Sequence, residues 1–154
     1  MTAQASSVPV RSGGCLCGQA RYRLSAEPVA CRICWCRDCQ HLAANGTVNL
    51  LVDSRAIEVS GHVSAYTKAA DSGNQVTRRF CATCGTSLFA DTTGRAGLTV
   101  VRVGTLDDPS SVRPTAYIWC ASAPAWAHLD PALTRDEGPP KPAKPAKTAT
   151  PAAR

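Results

Sequence analysis

Eight of the nine cysteines in this chain fall into two groups whose spacing suits metal ligation. Cys15 and Cys17 form a CxC beside Gly13, Gly14 and Gly18, and Cys81 and Cys84 form a CxxC followed by Gly85. The glycines let the backbone fold its amides around a bound sulfur, so the two half-sites together make one tetrahedral four-thiolate zinc site. Closing it ties the start of a small domain to a turn far along the chain, which stabilises a fold with few aromatic residues. The second group, Cys31, Cys34, Cys36 and Cys39, reads CxxCxCxxC. Cys34, Cys36 and Cys39 alone supply a tripod of thiolates and leave a fourth position open to an exogenous ligand, the feature that separates catalytic from structural zinc. Cys31 is a possible fourth ligand that would close the site; on a strand entering the cluster it can equally point into the core. The spacing fits neither common ferredoxin pattern, which disfavours an iron–sulfur cluster. Cys120 follows the apolar Tyr117, Ile118 and Trp119 and is expected to be buried.

An odd number of cysteines cannot all pair internally. Met1 to Arg11 carries no basic start followed by an apolar run, and no stretch approaches the ~20 apolar residues of a membrane helix. The expectation is a cytoplasmic protein with reduced thiols and no membrane partner. The net charge of +6 belongs largely to the C-terminus, since Lys141, Lys144, Lys147 and Arg154 all lie beyond Glu137. Residues 1–137 carry 13 basic and 11 acidic groups. Seven thiolates around two zinc ions would bring that part to roughly −1, which argues against a nucleic-acid partner.

The elements that must position these sulfurs are short strands. A chain of 154 residues with 44% hydrophobic and 5% aromatic residues suits one domain. Ala20, Tyr22 and Leu24 alternate with Arg21 and Arg23, the pattern of a half-buried strand. Further strands are predicted at Thr47–Val52, Ile57–Ser60, Val76–Phe80, Ser87–Ala90, Leu98–Val103 and Thr115–Trp119, bounded by Gly, Asp, Asn and Ser. Only Arg37–Ala44 is expected to make a helical turn or two, with Gly46 as its stop. The fold class is therefore all-β. The expected division is a flexible N-terminus over 1–12, the zinc-binding domain over 13–137, and a disordered Pro/Ala/Lys tail over 138–154.

Five blocks, in this order, carry a resemblance: GGCLCGQARY, CWCRDCQ, RRFCATCGTSLF, VGTLDDP, and PTAYIW with the later APAWAHLD. From about Gly13 to Pro139 the sequence resembles the glutathione-dependent formaldehyde-activating family, which includes the centromere-protein-V domain. The resemblance implies a zinc-binding β-tent or sandwich fold with two zinc ions per chain. It implies Cys15, Cys17, Cys81 and Cys84 as structural ligands, and Cys34, Cys36 and Cys39 as ligands of an active-site zinc. It also implies a carbon–sulfur lyase that joins glutathione to formaldehyde as S-(hydroxymethyl)glutathione. Trp35 and Tyr117 stand where the family often has histidine, and Gln40 and His41 follow the tripod where a basic residue is common.

The expected partners are a small glutathione-like thiol and a small aldehyde. A thiol entering the open position loses its proton, and the positioned sulfur attacks the aldehyde carbon to give a hemithioacetal. Three anionic sulfurs weaken zinc as a Lewis acid, which favours activating sulfur over polarising a carbonyl. Asp38 and Tyr117, with His41 and Arg79, are the candidates for protonating the new alkoxide; Asp38 has a competing role as a helix cap. The alternative function is a non-catalytic interaction module with two structural zinc sites. A redox sensor using Cys31 and Cys34 would need metal-free, acidic thiols, which the surrounding ligands disfavour.

Overall fold

The structure is a computed structural model that describes residues 10–140. The alternation expected around Tyr22 is present in strand β2 (Arg21–Leu24), where both arginines face solvent while Tyr22 and Leu24 are buried. β2 lies between β1 (Arg11–Gly14) and β5 (Ile57–Ser60), antiparallel to both, as a three-stranded sheet. The larger sheet has eight strands. Its centre is β3 (Ala30–Cys34), β4 (Thr47–Asp53), β9 (Leu98–Arg102) and β8 (Ser87–Thr92), all antiparallel neighbours. Beyond β8 come β7 (Gln75–Phe80) and the edge strand β6 (Ser64–Ala69). On the other side β10 (Ala116–Ile118) pairs parallel with β3, and β11 (Thr134–Arg135) pairs parallel with β10. The single α-helix, α1 (Arg37–Ala43), links β3 to β4. The expected all-β class therefore holds.

Register decides what each face of the large sheet carries. Cys31, Leu50, Val101 and Phe89 sit directly opposite one another across β3, β4, β9 and β8. Directly paired residues share a face, so this row points to one side, and all four belong to the main core with Tyr22 and Leu24 of β2. Tyr22 meets Phe89 edge-on at 5.2 Å between ring centroids, joining the two sheets. Full burial of Phe89 and Leu24 stabilises the fold by about 1.5–3 kcal/mol each. The opposite face carries the neighbouring rows: Cys34 beside Thr47 and Ile118, and Arg32 beside Asn49, which in turn faces Arg102.

Four strands depart from the sequence expectation, the first being β3, since Ala30–Cys34 is not among the predicted strands. β1 begins at Arg11, so Arg11 and Ser12 pair with Leu24 and Arg23 although they fall within the segment expected to be loose. β6 has no alternation to read because nearly all of it is exposed, and β11 is only two residues long. At the other end Gly138, placed in the expected tail, accepts a backbone hydrogen bond from Trp119. The rest of the expected termini, 1–9 and 141–154, lies outside the described residues. Among the described residues no helix is long and apolar enough to cross a membrane.

Candidate metal centres

Two tight turns bring the first four cysteines together. Residues 15–20 connect β1 to β2, and residues 81–86 connect β7 to β8, so the two sheets each contribute one turn. Gly18 and Gly85 adopt φ of +79° and +74°, the left-handed conformation that side chains resist. Cys15 Sγ accepts a hydrogen bond from the Ala20 amide, and the Gly85 amide donates to the Cys81 carbonyl. Cys15 Sγ lies 3.5 Å from Cys17 Sγ, which lies 3.7 Å from Cys81 Sγ. Sulfurs on a tetrahedral zinc with 2.3 Å bonds stand about 3.8 Å apart, so the donor set fits that ion. Hydrogen bonding to the Thr86 hydroxyl and amide draws the Cys84 thiol down to about 5.

The second centre forms where β3 runs into α1. Cys34 ends the strand, Cys36 is the N-cap residue of α1, and Cys39 lies in the first turn. The Trp35 amide donates to the Ile118 carbonyl and prolongs the pairing of β3 with β10. Cys36 Sγ then accepts from the Cys39 amide, which holds the two sulfurs together at one helix end. The three sulfurs lie within 4.8 Å of one another. Gln40 Nε2 donates to the carbonyls of Trp35 and Ser122, fixing the helix against the loop after β10.

The helix stops differently from expectation. It ends at Ala43, with Ala44 left-handed at φ 55°, while Gly46 has a packing role. A Cβ on Gly46 would sit 2.8 Å from the Trp35 ring. Trp35 thus lies on the side away from the sulfurs, in a cluster with Tyr117 and Cys120.

Cys31 is three residues before Cys34 on a strand, so the two side chains leave opposite faces. It sits in the main core, 8% exposed, and is absent from the group of mutually close sulfurs. The fourth-ligand option therefore gives way to the core option. Tyr117, paired with Ile33 and not with Cys34, also faces away; its hydroxyl accepts from the Asp130 amide. Asp38 is not the cap either. Its carboxylate takes Lys68 Nζ at 2.9 Å and Arg78 Nη2 at 2.7 Å, binding α1 to β6 and β7. Those cations hold Asp38 below the usual carboxylate range, so it is ionised and has no proton to give. His41 contacts the Arg37 carbonyl on the surface, and Arg79 pairs with Asp91 over the Phe89 ring.

Several residues of this centre were not anticipated. Ile118 packs on Cys34 and Cys39. Thr47 and Arg102 are both buried, and Arg102 donates to Thr47 and Asn49 but meets no carboxylate among the described residues. Cys39 is drawn down chiefly by Cys34 and Cys36, with Thr47 and Arg102 acting in the same direction, whereas Cys34 is pushed up by those sulfur neighbours and by burial. Three thiolates this close repel, so their joint ionisation requires a cation among them. The signal in the sequence was an arginine closing the mostly apolar segment Leu98–Val101, where a charge needs a reason.

The family model of the glutathione-dependent formaldehyde-activating enzyme matches residues 10–122, a span that contains both centres. The chain belongs to that family. Its association with formaldehyde activation accompanies two cysteine clusters compatible with zinc. Among solved structures, a Rhodobacter sphaeroides protein is similar at 17% identity and a TM-score of 0.55, covering 69% of this chain and 98% of that one. That likeness concerns the fold alone. No curated protein matches this family member.

Proposed function

We propose that Cys34, Cys36 and Cys39 hold a zinc ion at which a small glutathione-like thiol binds and is added to, or released from, a small aldehyde such as formaldehyde. The observation that carries this reading is the face on which Cys31 lies: three sulfurs converge, and the only other cysteine of that motif points into the core. Zinc bound by the three would supply the positive charge that keeps an incoming thiol deprotonated at neutral pH. Cys15, Cys17, Cys81 and Cys84 hold the other, structural zinc.

The residues of the chain do the positioning. β3 and the first turn of α1 fix the three ligands, and Ile118 gives them an apolar wall. Arg102, held by Thr47 and Asn49, offsets the surplus negative charge of the sulfurs. The sulfur of the thiol forms a bond to the aldehyde carbon as the carbonyl π bond opens, and the oxygen takes a proton from water. Water is the donor because Asp38 is locked in ion pairs and Tyr117 is on the far face. The product is a hemithioacetal, and the reverse direction is a carbon–sulfur lyase reaction.

Titration calorimetry of the zinc-loaded protein with reduced glutathione tests the reading. Saturable binding that disappears in Cys36→Ser is expected, together with a glutathione-dependent change in the visible spectrum of the cobalt-substituted protein. Absence of binding by glutathione and by simpler thiols would falsify it.

A further inference from the structure

Thr47 opens β4 with its side chain buried, 6% exposed, and register places it directly across from Cys34 on the face that carries the sulfurs. Directly opposed side chains stand about 4.5–5.5 Å apart at Cβ, so its hydroxyl is within reach of the cluster. Which groups that hydroxyl serves follows from valence. Arg102 Nη1 donates to Asn49 Oδ1, and a guanidinium has no acceptor, so the Asn49 amide can stand only one way round. Its nitrogen is therefore the atom that meets Thr47, and Asn49 Nδ2 donates to Thr47 Oγ1 at 2.9 Å. Arg102 Nη1 donates to the same oxygen at 3.3 Å. Both neighbours have only hydrogens to give, so the two lone pairs of the hydroxyl are occupied and its own hydrogen is left for a third group. Among the described residues no oxygen or nitrogen accepts that hydrogen, and a buried donor is expensive to leave unmade. The remaining acceptor is sulfur. Cys39, packed against Cys34 from the first turn of α1, is drawn down by hydrogen bonding to Cys34 and Cys36 and then to the Thr47 hydroxyl.

We propose that Thr47, aimed by Asn49 and Arg102, is a positioning residue whose hydroxyl donates to Cys39 Sγ and keeps that sulfur a ligand in place of a nucleophile. This rests on the reading of the three cysteines as a zinc centre acting on thiols and aldehydes, and adds how the centre tells its own sulfurs from the incoming one. An aldehyde can be attacked by any thiolate within reach, and a hydrogen bond to a thiolate withdraws the electron density that would attack carbon. The Cys39 amide does the same for Cys36 Sγ. With two of the protein's sulfurs held in this way, the arriving sulfur is the better nucleophile.

The test uses the full chain loaded with cobalt or zinc. Thr47→Val keeps the branched shape and loses the hydroxyl. Its sulfur-to-cobalt charge-transfer band should move to longer wavelength, because a sulfur without the hydrogen bond gives up electron density more easily, and Thr47→Ser should restore the wild-type position. On the zinc-loaded protein, iodoacetamide forms a carbon–sulfur bond with loss of iodide. Peptide mass mapping should find Cys39 alkylated about 10-fold faster in Thr47→Val than in wild type or Thr47→Ser, with Cys15, Cys17, Cys81 and Cys84 unchanged. Should Thr47→Val fail to fold, Asn49→Ala releases one of the two donors that aim the hydroxyl and should shift both readouts in the same direction by less. An unmoved band and rate in the folded variant would overturn the role of Thr47 and leave the zinc centre standing. So would a shift that Thr47→Ser does not restore, or alkylation that speeds up equally at all the cysteines. Retention of two cobalt ions per chain in Cys36→Ser would remove the centre, and this inference with it.

Discussion

Replacing Cys31 by alanine separates an open three-sulfur centre from a closed one. Cys31 is 8% exposed and packed within the main core, in the row with Leu50, Val101 and Phe89. Deleting its sulfur removes one buried heavy atom, comparable to a methylene, and leaves a small void. The cost is about 1 kcal/mol from lost burial and incomplete relaxation. For a domain of this size that is a fall of about 3–5 °C in melting temperature. Metal content should not change, because no ligand has been removed. Zinc released on denaturation and counted with a chromophoric chelator should remain at two ions per chain in both proteins. A Cys31→Ala protein that holds one ion fewer, whatever its melting temperature, would refute the assignment of Cys31 to the core and close the centre.

Two further outcomes follow from the surroundings of the sulfurs. Arg102→Met removes a buried cation and leaves the anionic cluster uncompensated, so zinc affinity at the three-sulfur centre should fall by about 10- to 100-fold. Competition with a chelator should show one weakened site and one unchanged, and two unchanged sites would contradict the charge argument. Asp38, whose folded carboxyl is held low by Lys68 and Arg78, contributes stability that is complete above the unfolded carboxyl value near 4 and is lost as pH falls through the lower folded value. Urea unfolding should accordingly show Asp38→Asn less stable than wild type at pH 7, with the gap narrowing by pH 3. Acid release of metal is common to both proteins, so it is the difference between them that reports on Asp38, and a gap independent of pH would contradict its ionised, paired state.

The spacing of the cysteines and the alternation of apolar residues were legible in one dimension because both are local. A CxC and a CxxC with adjacent glycines specify ligand turns whatever surrounds them, and the pattern Tyr22–Leu24 against Arg21–Arg23 specifies a strand with one wet face. β6 and β11 escaped because an exposed edge and a two-residue pairing have no periodicity, and β1 because its outer residues read as part of a polar terminus. The candidate acids failed for a different reason. Asp38 is a neighbour of Cys39 in sequence, but it is claimed by cations that arrive from strands 30 and 40 residues away.

What the sequence determined by itself is the inventory of sulfurs and their division into a pair of half-sites and a compact run. Which sulfurs meet was settled by register. Cys31 and Cys34 share a motif, yet a strand turns side chains an odd number of residues apart to opposite faces. Pairing of β3 with β4 and β10 sends one into the core and the other toward Thr47, Ile118 and the arginines. The charge around the centre is also a tertiary property, since Arg32 and Arg102 come from two separate strands that pairing through Asn49 brings to one side.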